Sequence, residues 1–443
     1  MLRASLARRP FKLLSRHLST KADPLAARFA ELVDLADGEL GGRVLFATDE
    51  WFATADNLLK PHAAVFDPDA FCVQGKVMDG WESRRRRTAG FDWCVVRLGL
   101  AGHVQGIEID TAWFTGNQTP AARVFAAHID DGGGAGDDGW IGPKRATLGV
   151  QGTAATPAEV AAAEAAVGAA AEWSELVPLS PLRPGTDPPD GSSVHRFAVP
   201  PELAGRRVTH LRLNQHPDGG IARMRAWGVV ARDYDRELAA AAVGAVDLLS
   251  VLNGARALGC SNRHYGEPRN LIKPGRGANM GAGWETARNP RRPAEIVTDA
   301  ATGLVHMPGA SDWCVLRLAA VAGKVERLVI DTCHFRGNFP ESVLVEALHA
   351  PAASTDEVVA SAETSNIDDG SAAAGGWRVL LPRTRLGPDA EHEFGAAELE
   401  GASGDDRISH LRVSIFPDGG IMRVRLHAEA VAPLEDAGGS GGG

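Results

Sequence analysis

The sequence lacks the short motifs that identify the common hydrolases and nucleotide-binding enzymes. It contains no G-x-S-x-G, no H-E-x-x-H, no Walker loop and no Rossmann fingerprint in a strand–helix context. Its histidines are scattered, without H-x-H or H-x₃-H spacing. No metal is therefore predicted from spacing, and no cofactor is expected. A divalent metal held by residues distant in the chain is left open.

Cysteine pairing is also absent. The five cysteines are odd in number, and none are spaced as C-x-x-C. This excludes a zinc ribbon and argues against a disulfide scaffold. Two of them, Cys94 and Cys314, lie inside short apolar runs and are predicted to be buried free thiols.

No apolar run approaches the roughly 20 residues of a membrane span, so no membrane partner is expected. The net charge is −10 without a long basic stripe, which argues against nucleic acid as a partner. Residues 1–22 carry six basic residues, no acidic residue and several serines. Such a segment is typical of a mitochondrial targeting sequence, with a chloroplast or cytoplasmic location as the alternatives. Residues 433–443 are glycine-rich and are predicted to form a flexible tail.

What the sequence does contain is a long internal repeat. Trp81-Glu82 recurs as Trp284-Glu285, and the same order holds for a further set of motifs in both halves. These are Asn57–Pro61 and Asn270–Pro274, Asp92–Leu98 and Asp312–Leu318, Phe114–Asn117 and Phe335–Asn338, and Pro217–Ile221 and Pro417–Ile421. A period near 200 residues indicates two copies of a whole domain. We place them at 30–232 and 247–432, joined by a linker at 233–246.

Each copy has the pattern of an all-β domain. Its apolar runs are short, rich in Val, Ile, Trp and Phe, and separated by Gly, Pro and Asp. This pattern predicts a β-sandwich in each repeat. Pro-Asp-Gly-Gly between two such runs predicts a tight turn.

Polar residues next to glycine or tryptophan are the candidates for chemistry. Glu82 and Glu285 each follow a tryptophan, and an apolar neighbour can raise the pKa of a carboxyl so that it acts as acid or base. The alternative is a structural ion pair with a nearby arginine. Trp81 and Trp284 are included as candidate substrate contacts.

Arginine, asparagine and histidine complete the candidate set. Arg85 and Arg288 occupy the same place in the two copies and could clamp a carboxylate bidentately. Asn117 and Asn338 follow glycine in a turn and could read ureido or carboxylate groups, although asparagine is also an ordinary turn residue. His264 has no histidine counterpart in the first copy and could carry a proton or simply pack.

Taken together, these motifs are similar to those of the allantoicase (allantoate amidinohydrolase) family. The segments that carry the resemblance span both copies in order: Gly41–Asp49, Met78–Arg85, Phe114–Asn117, His264–Gly266 and Asn279–Thr286. One departure is that Ala282 stands where the first copy has Asp79, so chemistry dependent on Asp79 is in doubt in the second copy.

The resemblance implies two tandem jelly-roll β-sandwiches, related to galactose-binding-like sandwiches. It also implies hydrolysis of allantoate to ureidoglycolate and urea in purine catabolism. On that basis Glu82 and Glu285 become acid/base candidates with His264 as an auxiliary proton carrier, while the arginines and asparagines bind substrate. A non-catalytic tandem module that binds a small molecule or carbohydrate is the alternative, because fold does not fix function. A metal-assisted hydrolase is a third hypothesis. Exposed sheet edges favour a homo-oligomer.

Overall fold

The computed structural model describes residues 23–30, 32–129, 140, 142, 144–231, 244–292, 294–306, 309–364, 374–403 and 406–434. The predicted targeting segment at 1–22 lies outside these ranges, as do residues 232–243 of the linker region and 435–443 of the tail. No helix in the described ranges is both long and apolar enough to cross a lipid bilayer.

The first repeat is made almost entirely of strands. Its helices are α1 (Pro24–Ala30), α2 (Pro157–Ala170) and the single turn α3 (Pro201–Ala204). Its strands are β1 (Val33–Asp34), β2 (Arg43–Ala47), β3 (Asp49–Glu50), β4 (Phe71–Cys72), β5 (Gly75–Lys76), β6 (Trp81–Glu82), β7 (Trp93–Asp110), β8 (Ala121–Ala127), β9 (Thr153–Ala154), β10 (Ser174–Pro181), β11 (Val194–Ala198), β12 (Arg207–His216), β13 (Gly220–Ile221) and β14 (Arg223–Val230).

The second repeat contains the same series with fewer short strands. It has β15 (Val246–Asp247), β16 (Arg256–Cys260), β17 (Trp284–Glu285), β18 (Asp312–Asp331), β19 (Ser342–Leu348), helix α4 (Thr355–Thr364), β20 (Arg378–Arg385), β21 (Glu391–Gly395), β22 (Ile408–Phe416), β23 (Gly420–Ile421) and β24 (Arg423–Pro433). The β4–β5 hairpin of the first repeat has no counterpart among the described strands of the second.

A single long strand belongs to both layers of each sandwich. The first half of β7 pairs with β2 and β12, and β12 continues through β8 to β10. The second half of β7 pairs with β11 and β14, and β14 pairs with β1. Strand β18 does the same in the second repeat, with β16 and β22 on its first half and β21 and β24 on its second. The prediction of two tandem β-sandwiches is confirmed.

The core of each sandwich lies between these layers. In the first repeat Val96 and Leu213 of one layer pack in the same cluster as Ile109 and Met224 of the other. Each of these side chains is fully buried and contributes about 1.5–3 kcal/mol through removal of apolar surface from water. The predicted buried thiols Cys94 and Cys314 are both fully buried.

One helix covers the outside of each sandwich. Thr156 and Glu159 form a capping box at the start of α2, whose Val167 packs with Phe46 and Trp93. In the second repeat, Val358 of α4 packs with Val315 and Trp377 in the equivalent place.

The two repeats touch each other directly. Leu40 of the first repeat is buried in the core cluster of the second, and Val33 packs against both cores. Lys273 of the second repeat reaches across to Asp37 and Glu39 of the first, with Nζ–oxygen distances of 3.2 and 3.1 Å. This contact joins the repeats beside a large cavity.

Candidate active site

The repeated motifs meet at one place in each sandwich. The two-residue strand β6 (Trp81–Glu82) pairs with β13 (Gly220–Ile221), and β17 (Trp284–Glu285) pairs with β23 (Gly420–Ile421). The Gly-Asn turn that follows the long strand closes the same site, because the Asn117 carbonyl accepts from the Gly220 amide at 2.8 Å. Segments far apart in the sequence therefore form one small constellation, which occurs twice.

Glycine in Pro-Asp-Gly-Gly is required by close packing. A Cβ on Gly220 would lie 2.0 Å from the ring of Phe114, and one on Gly420 would lie 2.0 Å from Phe335. Both rings are fully buried, so neither can move aside cheaply. The glycine before Gly220, Gly219, has a φ of 120°, a conformation that favours glycine.

The structure brings the predicted glutamates and asparagines together. Asn117 Nδ2 donates to Glu82 Oε1 at 2.7 Å, and Asn338 Nδ2 donates to Glu285 Oε1 at 2.6 Å. In each pair the amide orients one carboxyl oxygen and leaves the other for a second partner. Sequence reasoning had assigned both residue types to the site but had not paired them.

The two tryptophans lie in the interior and expose no surface. Trp81 Nε1 donates to the Asp49 carbonyl and Trp284 Nε1 to the Asn262 carbonyl, both at 2.8 Å, and each side chain is 0% exposed. Their indoles therefore anchor the strands that carry the glutamates. This placement suits a positioning residue better than the predicted substrate contact.

The surroundings of Glu82 raise the pKa of its carboxyl. Its side chain is buried and its backbone is pinned by hydrogen bonds with Phe52 and Ala53. Burial raises the pKa of Glu82 to about 7, against the opposing effects of the Asn117 hydrogen bond and the Arg85 charge. At neutral pH this carboxyl is present in both protonation states, as an acid/base catalyst needs.

A pocket opens onto Glu82. It has a volume of about 360 Å³, within the range typical of small-molecule sites, and its uncharged and acidic polar lining consists of Gln74, Glu82, Thr115, Asn117 and Asp187. Phe52, Phe66 and Trp113 give it aromatic walls. The cation in its lining is Lys76, held with Nζ 4.9 Å from the Phe66 ring centroid.

The sequence analysis did not identify Lys76, because no motif or repeat in the sequence marks this residue. It lies on β5 of the β4–β5 hairpin, a feature of the first repeat alone among the described strands. The predicted clamp Arg85 is exposed at the pocket's margin, where Nη2 donates to the Gly116 carbonyl at 3.3 Å. Arg85 influences Glu82 through charge but is not part of the lining.

In the second repeat the equivalent site is more open. Glu285 is half-buried where Glu82 is buried, and Arg288 is exposed. His264 is exposed too, with its ring edge-on to Tyr265 at 4.4 Å between centroids. It lies next to the site, because the Tyr265 amide donates to the Glu285 carbonyl at 3.1 Å.

Asp79 forms a structural ion pair. Its Oδ1 binds Lys60 Nζ at 2.7 Å and its Oδ2 binds Arg223 Nη2 at 2.6 Å. Burial opposes ionisation, but these two cationic donors hold the pKa of Asp79 at about 2. The carboxylate is therefore permanently charged near neutral pH and is a poor candidate for proton transfer.

Three side chains of the second repeat could together offer ligands to a metal. One atom each from Cys333, His334 and Asp389 lies within 4.8 Å of the others. However, Arg336 Nε already binds the Asp389 carboxylate at 3.0 Å, and burial raises the pKa of the Cys333 thiol. A neighbouring cation and a protonated thiol both disfavour a metal there.

Comparison with known proteins agrees with this repeated architecture. The family model described as the allantoicase repeat matches residues 33–231 and again 246–431. A probable allantoicase of Pseudomonas syringae is 37% identical over 401 residues, covering 90% of this chain and 97% of that protein. A probable allantoicase of Photobacterium profundum is 37% identical over 404 residues, with the same two coverages. The crystal structure of an allantoicase from Saccharomyces cerevisiae superposes with a TM-score of 0.61 at 30% identity, covering 89% of this chain and 92% of that one. Two matches to the repeat model and relatives that align along nearly the whole chain show that it belongs to the allantoicase family.

Proposed function

We propose that the pocket around Glu82 in the first repeat is where this chain hydrolyses allantoate to ureidoglycolate and urea. The reaction is that of the allantoicase family, and the small-molecule substrate belongs to purine catabolism. The observation that supports this pocket is a buried carboxyl with a pKa of about 7, oriented by an asparagine. Such a perturbed group in a cleft is a strong functional-site candidate.

The chemistry defines what the site must supply. Allantoate has one carbon that carries a carboxylate and two ureido groups. Urea leaves when the C–N bond to one ureido group breaks and that nitrogen gains a proton. The lone pair of the remaining ureido nitrogen supplies the electrons for a transient C=N bond, and water then adds to the carbon.

Glu82 can serve both steps in this proposal. Its protonated form donates the proton to the departing urea nitrogen, and the carboxylate left behind takes a proton from the added water. The carboxyl thus ends in its starting state, and one water is consumed for each urea released. Proton transfer of this kind is worth about 10²–10⁴ in rate.

The pocket lining offers partners for the rest of the substrate. The Lys76 ammonium is placed to pair with the substrate carboxylate, and the Gln74 and Thr115 side chains can hydrogen-bond with ureido groups. Asn117 keeps Glu82 aimed at the reacting carbon. Arg85 contributes a positive charge at the margin. The site of the second repeat, with Glu285, Asn338, Arg288 and His264, is the alternative location.

Urea release by paired variants tests the assignment. Glu82→Gln should lose about 10²–10⁴ of kcat/KM, whereas Glu285→Gln should retain most of it. If Glu285→Gln loses activity and Glu82→Gln retains it, the reaction takes place in the second repeat. Full activity in both variants would refute the carboxyl mechanism. Saturable binding of allantoate by the wild-type chain without urea release would favour the non-catalytic binding module. Loss of activity on chelation, restored by a divalent metal, would favour the metal-assisted reaction.

We also propose a destination and an assembly state. Residues 1–22 have the composition of a mitochondrial targeting segment, although the bacterial relatives lend an organelle no support and the cytoplasm is the alternative. Fusion of these residues to a fluorescent protein in eukaryotic cells tests this.

The β4–β5 hairpin exposes Phe71 at 67% and Val73 at 98%, which supports a homo-oligomer. Light scattering on the purified chain measures its mass.

A further inference from the structure

A large cavity lies between the two repeats. Its volume is about 840 Å³, and it shares no lining residue with the pocket at Glu82. The first repeat contributes Asp37, Glu39 and Trp227, among others. The second contributes a set that includes Lys273, Asn279, Ala282 and Arg423.

The first repeat shows what the equivalent residues do when a carboxylate is present. There, Lys60 and Arg223 hold the Asp79 carboxylate from two sides at 2.7 and 2.6 Å. The Val65 amide donates a further hydrogen bond to it at 3.0 Å. This is a complete carboxylate clamp built from one lysine, one arginine and one backbone amide.

The second repeat keeps both cations and lacks the carboxylate. Lys273 and Arg423 are in register with Lys60 and Arg223, but Ala282 replaces Asp79. The register is structural as well, because Asn57 donates to the Gly80 carbonyl and Asn270 to the Gly283 carbonyl, both at 2.9 Å.

The Arg423 guanidinium is held in the same pose as that of Arg223. Arg223 donates through Nε to the His62 carbonyl and through Nη1 to those of Asp79 and Ala222. Arg423 donates through Nε to the Gly275 carbonyl and through Nη1 to those of Ala282 and Met422.

Nη2 is the atom that Arg223 uses to bind the Asp79 carboxylate. Only 4% of the surface of Arg423 is exposed. The charges of Asp331 and Glu39 act on its guanidinium, but among the described residues no carboxylate is hydrogen-bonded to its Nη2. A buried, prepositioned guanidinium facing a cavity is a built anion site.

Lys273 retains capacity for a further partner. Two of its three ammonium donors are used by Asp37 and Glu39 of the first repeat. Burial lowers the pKa of Arg423 only to about 10, so its guanidinium is cationic near neutral pH.

We propose that the cavity between the repeats binds a small organic carboxylate, held by Arg423 and Lys273. The ligand carboxylate takes the place that the Asp79 side chain fills in the first repeat. The remaining volume accepts the polar body of the ligand, with the Asn279 amide and the Arg269 guanidinium as hydrogen-bond donors. Substrate and product of the family reaction both belong to this chemical class.

Restoring the missing carboxylate is the sharpest test. Ala282→Asp supplies Arg423 with an internal partner and should expel the ligand. Ala300→Asp adds the same charge at an exposed position and is the matched control. The probe is N-carbamoylglycine, which has a carboxylate and one ureido group. It lacks the second ureido group that leaves as urea in the hydrolysis, so it is not a substrate for that reaction. Isothermal titration calorimetry counts the binding events.

The Ala282→Asp variant should show one binding event fewer than Ala300→Asp. The number of probe molecules bound per chain depends on whether the Glu82 pocket also binds the probe. The difference in that number between the two variants does not depend on it. Equal numbers and affinities in the two variants would overturn the proposal. Lys273→Met is a second test, expected to weaken binding at this site about 10-fold, because it removes one charge-assisted hydrogen bond. Unchanged affinity in Lys273→Met would equally count against it.

The urea assay separates this site from the catalytic proposal. If Ala282→Asp abolishes both binding and urea release while Glu82→Gln stays active, the cavity is the site of the reaction. That outcome supports the carboxylate site and refutes the assignment of Glu82.

Discussion

Replacing Glu82 by Gln should make the protein less active and, above neutral pH, more stable. The pKa of this carboxyl rises from 4.5 in the unfolded chain to about 7 in the folded one. Between these values the folded state keeps a proton that the unfolded state has released, so the carboxyl lowers stability as pH rises. The shift corresponds to about 3 kcal/mol by pH 8. The glutamine of the Glu82→Gln variant cannot ionise and can still accept from Asn117, so the variant avoids this cost.

The measurement is guanidinium-induced unfolding of wild type and variant at pH 5 and pH 8, followed by tryptophan fluorescence. The Glu82→Gln variant should nearly match the wild type at pH 5 and exceed it by about 3 kcal/mol at pH 8. Glu285→Gln is the matched control, because Glu285 occupies the equivalent place and is half-buried where Glu82 is buried. An identical stability difference at both pH values would refute the reasoning, since it would mean that Glu82 is not held protonated.

The proposed role of Glu82 also predicts how activity depends on pH. In the proposed mechanism the first step uses protonated Glu82, so kcat/KM should fall as pH rises through about 7. Loss of activity together with a gain in stability would also exclude misfolding as the cause of an inactive Glu82→Gln variant.

Three other substitutions probe the pocket, the turn and the core. Lys76→Met should raise KM for allantoate about 10-fold or more with a smaller change in kcat, in steady-state urea-release assays, because it removes the proposed anchor of the substrate carboxylate. Gly220→Ala should destabilise the first repeat by about 1–3 kcal/mol or more in thermal unfolding, because its Cβ would lie 2.0 Å from Phe114. Glu346→Ala should cost about 3–5 kcal/mol in denaturant unfolding, because it removes a carboxylate that lies 3.2 Å from the buried Arg412 guanidinium.

Each of these has a control in the same chain. Lys324→Met removes an exposed lysine and should leave KM unchanged. Gly116→Ala places a Cβ where nothing lies within 4 Å and should be almost neutral. Glu164→Ala breaks the half-exposed pair with Arg212, equivalent to Arg412, and should cost less than about 1 kcal/mol. A Gly220→Ala variant as stable as Gly116→Ala would contradict the packing argument.

Much of the fold could be predicted from the sequence, because the motifs that indicate strands occur once in each repeat. The repeat and the two sandwiches both rest on local residue patterns. The pairing of Trp-Glu with Gly-Ile of the Pro-Asp-Gly-Gly-Ile segment was not predicted. The sequence did not predict that β7 is one continuous strand, because Gly99, Gly102 and Gly106 interrupt its apolar pattern as turn residues do. In the structure these glycines admit close neighbours: a Cβ on Gly106 would lie 2.0 Å from Phe29.

Residues of the candidate site could be singled out from the sequence where they belong to a repeated motif. Glu82 and Asn117 stand in such motifs, and their second copies made them visible. Lys76 comes from a hairpin without a repeated counterpart, and its position depends on how that hairpin folds over the pocket. The replacement of Asp79 by Ala282 was visible in the sequence. Its effect on Arg423 could not be predicted, because the cavity that Arg423 lines forms only where the two repeats meet.

The long strands β7 and β18 have a consequence for how the protein folds and unfolds. Because one unbroken strand contributes to both layers, neither layer of a sandwich is a complete hydrogen-bonded sheet without the other. Amides in the two layers should therefore exchange with solvent through the same opening event, as one cooperative unit in each repeat. The chain is then expected to lose structure one whole repeat at a time, with the contact of Lys273 to Asp37 and Glu39 coupling the two events.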